Sequence, residues 1–215
     1  MNRKTNRWAV AWVLVLCTVF IPVQAQSKKN CVVREVPVKA FSAIRLEAIG
    51  TIVFKQLDDC SLRIEGLAKK VDRYRIEVKD RTLVIRFKKP DEKVANNGCK
   101  NDEVTFYLSA PDLKLIDFNG MGSICCPNRL ELPDLELAVK GISNIHLADL
   151  NCRKLQATFE GMGDVDIHLN CKALVTKVSG MVNAAFSGKA GKAIIQKDGL
   201  VVVNTNHLII GDHED

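Results

Sequence analysis

Asp164, Asp166 and His168 alternate along one short stretch of this chain, and Asn144 and His146 stand 20 residues before Asp164 and Asp166. Alternation at i, i+2 and i+4 puts the three later side chains on one face of a strand. A repeat of about 20 residues would lay the other two beside them on a neighbouring strand. Two carboxylates and two imidazoles are ligand types that a divalent metal accepts, but the spacing is not diagnostic of a metal site, and no metal or cofactor is expected. Carboxylates beside a histidine are also ingredients of polysaccharide cleavage. The two aspartates share a single strand with few acidic neighbours at matching offsets, and the chain has no Gly-x-Ser-x-Gly elbow. The five residues therefore read as a polar binding patch, and no catalytic set is expected.

The repeat that would position them is marked by glycine. Gly120, Gly141, Gly161, Gly180 and Gly199 recur at intervals of 21, 20, 19 and 19 residues. Apolar residues alternate on both sides. Leu135, Leu137 and Val139 precede Gly141, and Ile145 and Leu147 follow; Leu155, Ala157 and Phe159 precede Gly161, and Val165, Ile167 and Leu169 follow. Period two is a half-buried strand, and a glycine where the phase changes is a turn or bulge with positive φ. Such repeats read as coils of a β-solenoid, each burying its apolar face on the last. Ile44, Leu46, Ala48 and Gly50, followed by Ile52 and Phe54, mark an earlier rung. Gly122 and Gly163 stand two residues beyond two of the coil glycines. One residue after the five glycines stand Met121, Ile142, Met162, Met181 and Leu200, a column suited to turn packing or to an apolar contact edge.

Three segments follow. Residues 1–25 have a basic head (Arg3, Lys4, Arg7), an apolar run from Trp8 to Pro22 and a small-residue cleavage site, the anatomy of a secretory signal. Residues 26–110 form a less regular N-terminal β region. It holds a turn of helix within Leu67–Arg73, a hairpin of Tyr74–Val78 with Thr82–Phe87, a polar loop from Pro90 to Asp102, and a strand at Val104–Leu108. Residues 111–215 form the regular coils and a polar C-terminal cap.

Charge and cysteine content set the compartment and the partners. Losing the signal removes three of the formal +6 charges. Residues 26–110 then carry 18 Lys plus Arg against 12 Asp plus Glu, and residues 111–215 carry 10 against 13. That excess is too small to expect nucleic acid, although the basic end could face an anionic polymer or headgroup. Seven cysteines lie beyond residue 25. Cys152 and Cys171 each fall nine residues before a coil glycine, which on adjacent coils puts them about 4.8 Å apart, within reach of a disulfide. Cys60 and Cys99 are a second candidate pair.

The segment Val104–Leu113, the units Gly120-Met121-Gly122 and Gly161-Met162-Gly163, and the hairpin Ile76–Val78 to Leu83–Ile85 resemble the head GIN domain family of auto-transporter adhesin-like proteins, found in secreted proteins of Bacteroidetes. The resemblance covers about Arg34 to Ile210. It implies an all-β fold, a right-handed parallel β-helix shaped like the pectin lyases, with Gly-x-Gly units turning between sheets and no retained catalytic residues. Ser143 replaces the second glycine of one rung, and Gly180-Met181-Val182 and Gly199-Leu200-Val201 lack it.

The expected function is that of a non-catalytic binding module, adhesin-like or scaffolding, in the periplasm, on the outer membrane or on the cell surface of a Gram-negative bacterium. Its expected partners are a glycan, an envelope polymer or a surface protein, with self-association possible. No membrane-spanning segment is expected in the mature chain. Both tryptophans lie in the signal, so Tyr74 and Tyr107 are the remaining amphipathic aromatics for stacking on sugar. The alternatives are a polysaccharide lyase or hydrolase and a periplasmic ligand or stress sensor.

Overall fold

Strand-forming alternation dominates the chain, and 84% of the described residues lie in strands. The computed structural model describes residues 31–88 and 103–211. The signal-like segment, the loop from Pro90 to Asp102 and Cys99 lie outside the described residues. Among those described, no helix is long and apolar enough to cross a membrane.

β1 (Cys31–Glu35), β2 (Ala43–Gln56) and β3 (Ser61–Leu67) precede a single turn of helix, α1 (Ala68–Val71). β4 (Tyr74–Lys79) and β5 (Thr82–Phe87) form the hairpin. Its two turn residues, Asp80 and Arg81, have φ of 50° and 57°, the positive pair that a two-residue type I′ connection requires. β6 (Val104–Ala110) follows, and β7 (Leu115–Ile210) continues as extended chain for 96 residues.

The strand order is β1-β3-β6-β2-β5-β4, with β7 also joined to β2. β2 pairs in parallel with β5, β6 and β7. β1 with β3, β3 with β6, and β4 with β5 pair antiparallel. A parallel helix throughout is therefore not what the chain forms. The sheet is mixed and curls into an open half-barrel. The connections explain the difference, because a tight turn such as Asp80-Arg81 can only reverse the chain, whereas a parallel pair needs a crossover of a dozen residues or more.

Along β7 the segments between glycines lie on one another. A Cβ built on Gly141 would sit 2.1 Å from the carbonyl oxygen of Gly120, one on Gly161 would sit 1.9 Å from that of Gly141, and one on Gly180 would sit 2.1 Å from that of Gly161. Gly120 and Gly122 approach Ala48 and Gly50 of β2 in the same way. The core is the inward set of these segments, continuous from Ile44, Leu46, Ile52 and Phe54 of β2 through Phe118, Leu137, Phe159 and Ile167 to Phe186. Tyr74 belongs to it as well. Its ring stacks on Phe87 at 4.9 Å and meets the Phe106 ring edge-on at 5.1 Å. Its hydroxyl donates to the carbonyl of Ile49 at 2.8 Å and accepts from the Ile49 N–H at 3.2 Å. Tyr74 is thus a packed core residue and offers no platform for sugar.

Candidate binding face

Because inward and outward side chains alternate, positions one, three, five and seven after each coil glycine share an outward face. The coils are in register, so each position becomes a column.

In the third column the Asp164 N–H donates to Asn144 Oδ1 at 3.2 Å, and Asn183 Nδ2 donates to Asp164 Oδ1 at 3.2 Å. In the fifth, His146 Nδ1 lies 3.1 Å from an Asp166 carboxylate oxygen. In the seventh, His168 Nδ1 lies 3.0 Å from Ser187 Oγ. The structure thus brings Asn144, His146, Asp164, Asp166 and His168 onto one exposed surface and adds Asn183 and Ser187. Each bond links one coil to the next, so the polar groups are held at fixed spacing. Exposed pairs of this kind contribute about 0–1 kcal/mol each, so they order the face more than they stabilise the fold.

Beside these polar columns runs the apolar one. Met121, Ile142, Met162, Met181 and Leu200 are all exposed, from 40% at Met121 and Met162 to 77% at Leu200. The face therefore combines an apolar rib with rows of hydrogen-bonding groups, open to solvent along its length. Among the described residues, no group of three or more His, Cys, Asp or Glu side chains gathers as a metal-ligand set.

The family model described as "Putative auto-transporter adhesin, head GIN domain" matches residues 40–212. The chain belongs to this family. No curated protein matches it. Among solved structures, a putative adhesin from Bacteroides fragilis is 22% identical, with a TM-score of 0.58, over 86% of this chain and 98% of that one. A putative adhesin from Parabacteroides distasonis is 16% identical, with a TM-score of 0.73, over 85% of this chain and 76% of that one. A putative lipid binding protein from the same organism is 16% identical, with a TM-score of 0.67 and the same coverage. At these identities the likeness is one of fold.

This head GIN domain also holds two shallow grooves that the glycine period did not reveal. One, of about 480 Å³, is lined by Lys114, Asp134, Glu136, Arg153, Lys154 and Gln156. There Arg153 makes a two-pronged ion pair with Asp134, whose carboxyl it holds below the usual carboxylate range. The other, of about 300 Å³, contains Lys55, Arg63 and Tyr107. The Arg63 guanidinium lies 4.3 Å over the Tyr107 ring, and a hydrogen bond to Glu65 pushes the phenol up. Arg63 and Tyr107 are cross-strand partners far apart in sequence, so only the pairing of β3 with β6 could have linked them.

Among the described cysteines, Cys126, Cys152 and Cys171 are buried, Cys60 and Cys125 half-buried and Cys31 exposed. Cys60 Sγ accepts from the Phe41 N–H at 3.4 Å. Cys152 and Cys171 are buried thiols hydrogen-bonded to each other. That bond, reinforced by burial, pushes Cys152 up, and it holds Cys171 down. Burial pushes Cys126 up to about 12.

Proposed function

We propose that this protein is a non-catalytic, adhesin-like binding module, exported to the periplasm or cell surface, that presents the outward face of its coils to a polymer or protein of the envelope or its surroundings. The observation that carries this reading is the registered face itself: hydrogen-bonded Asn, Asp, His and Ser columns at 3.0–3.2 Å beside a continuous exposed apolar rib. An amphipathic face of repeated polar rows suits a glycan or another extended chain, because weak contacts add along the array. Membership of the head GIN domain family supports the adhesin-like role. The basic, apolar and small-residue order of residues 1–25 supports export. We read the stacked coils of β7 as a right-handed β-solenoid, a rigid rod that holds the rows in place.

The test is retention on immobilised envelope polysaccharides and uronans, comparing the wild type with Asp164→Ala/Asp166→Ala and with Met162→Glu. The reading predicts retention by the wild type, its loss in both variants, and no new reducing or unsaturated sugar ends. Turnover that disappears in Asp166→Ala would replace the binding module with an enzyme. Protease added to intact cells fixes the compartment: digestion places the protein outside the outer membrane, and protection until lysis places it in the periplasm.

A further inference from the structure

The coils of β7 cover one another, but among the described residues, 192–210 have no later coil above them. The last cross-coil contacts seen are Gly199 over Gly180 and the Gly211 N–H donating to the Ala190 carbonyl at 3.1 Å. The final coil therefore presents a strand edge with its backbone donors and acceptors turned outward. Such an edge is a template for pairing with another chain, and proteins usually guard it with charge, proline or a bulge.

The other edges of the sheet are guarded. β4 carries Arg75, Glu77 and Lys79, and β1 carries Arg34 and Glu35. Within the last coil, Lys197 occupies a position where Val178 is buried one coil below, and Lys192 and Asp198 flank it. The strand after Gly199 has no such protection. Leu200-Val201-Val202-Val203-Asn204-Thr205 contains neither charge nor proline and is rich in β-branched residues, the composition that pairs most readily. Leu200 and Val202 are 77% and 63% exposed. Val201 and Val203 point toward the core but remain only partly covered.

We propose that Leu200–Thr205 is a self-association edge at which two copies of this chain pair antiparallel, end to end, in a closed two-fold dimer. Continuity with the coil stacking selects this occupant. The upper side of the last coil repeats the surface that earlier coils offer to their successors, so what fits it is another strand of the same kind. The opposite end of the molecule offers no matching coil, because β2 is already flanked by β5 and β6 there. Head-to-tail stacking is thus unavailable, and the edge can meet only its own copy, which closes the assembly at two. This inference does not rest on the ligand reading, although the edge shares Leu200 with the apolar rib and a dimer would present two binding faces to one polymer.

The experiment is sedimentation of the purified full secreted chain across a wide concentration range, with hydrogen exchange at the same concentrations. A monomer–dimer equilibrium is expected, with the amides of residues 200–205 becoming protected as dimer forms. Val202→Lys places like charges across the two-fold axis and is expected to weaken the dimer at least about tenfold. Circular dichroism keeps the test valid by confirming that this exposed variant folds. Met162→Lys, on the lateral rib, should leave the dimer intact. A wild type that stays monomeric, a dimer indifferent to Val202→Lys but broken by Met162→Lys, or open-ended polymers would each overturn the proposal. So would edge amides protected in the monomer, since another segment of the chain would then cover them.

Discussion

Gly161 lies so close over Gly141 that a Cβ on the later residue would fall 1.9 Å from the carbonyl oxygen of the earlier one. The obstacle is backbone on both sides, so no rotamer change relieves it. Gly161 also has φ of +141°, a conformation that L side chains rarely adopt. Gly161→Ala is accordingly expected to destabilise by ~3 kcal/mol or more, strain and steric displacement acting together. Gly211, with nothing within 4 Å of a built Cβ, is the control, and Gly211→Ala should shift stability by under ~0.5 kcal/mol. Denaturant midpoints of the two variants check both figures.

Tyr74 gives the fold an alkaline limit. Burial pushes its phenol up from 10.0 to about 12. Below about pH 10 the folded and unfolded chains both keep the proton, and the stabilising contribution is fully present. Between 10 and 12 the unfolded chain loses its proton while the folded chain keeps it, so stability falls by up to roughly 2–3 kcal/mol. Tyr74→Phe should flatten this slope, leaving the part due to the other raised groups, Cys126, Cys152 and Tyr107, at a cost of ~1–3 kcal/mol near neutrality from the orphaned Ile49 backbone groups. Urea titrations at pH 8 and pH 11 measure it.

Cys152 and Cys171 are expected to join under oxidising conditions. The bridge would close a loop of about 20 residues and add ~3 kcal/mol by restricting the unfolded chain. Unfolding with and without reductant, together with mass spectrometry for the cross-linked peptide, tests this. Equal midpoints in the two conditions would sink the bridge. In the reduced protein, Cys126 should resist alkylation, because a thiol raised to about 12 carries almost no thiolate near neutral pH.

His146→Ala and Asp166→Ala should each change stability by less than about 1 kcal/mol, since their pair is solvent-exposed. Thermal melts of the two variants, run beside polymer retention, separate a face used for binding from one used for folding. A loss of several kcal/mol would assign the pair to structure.

The period of the coils, the hairpin and the polar columns were legible because each depends on residues a fixed distance apart. Local spacing carried Asp164 to Asn144, and Met162 to Ile142 and Met181. It could not carry the antiparallel pairing of β3 with β6 and with β1, which extends the mixed sheet beyond the hairpin and, through β6, sets Arg63 over Tyr107. Nor could it reveal that Tyr74 turns inward, because an aromatic residue with a hydroxyl suits a surface and a core equally until its partner, here Ile49, is known. Gly188 carries no sequence signal for a related reason. It lies over Leu169 at φ of +98°, but the coil below has leucine at that position, so no recurring glycine marked it.

β2 is flanked on one edge by β5 and β6 and on the other by β7. Each later coil closes a loop of about 20 residues, whereas the Arg45 to Asp117 contact that seats the first coil on β2 spans 72. The longer closure costs about 1 kcal/mol more. Seating the first coil on β2 is thus the closure most opposed by chain entropy, whichever coil forms first. Removing rungs at the far end shortens the stack, while removing β2 strips the first coil, β5 and β6 of the strand they share.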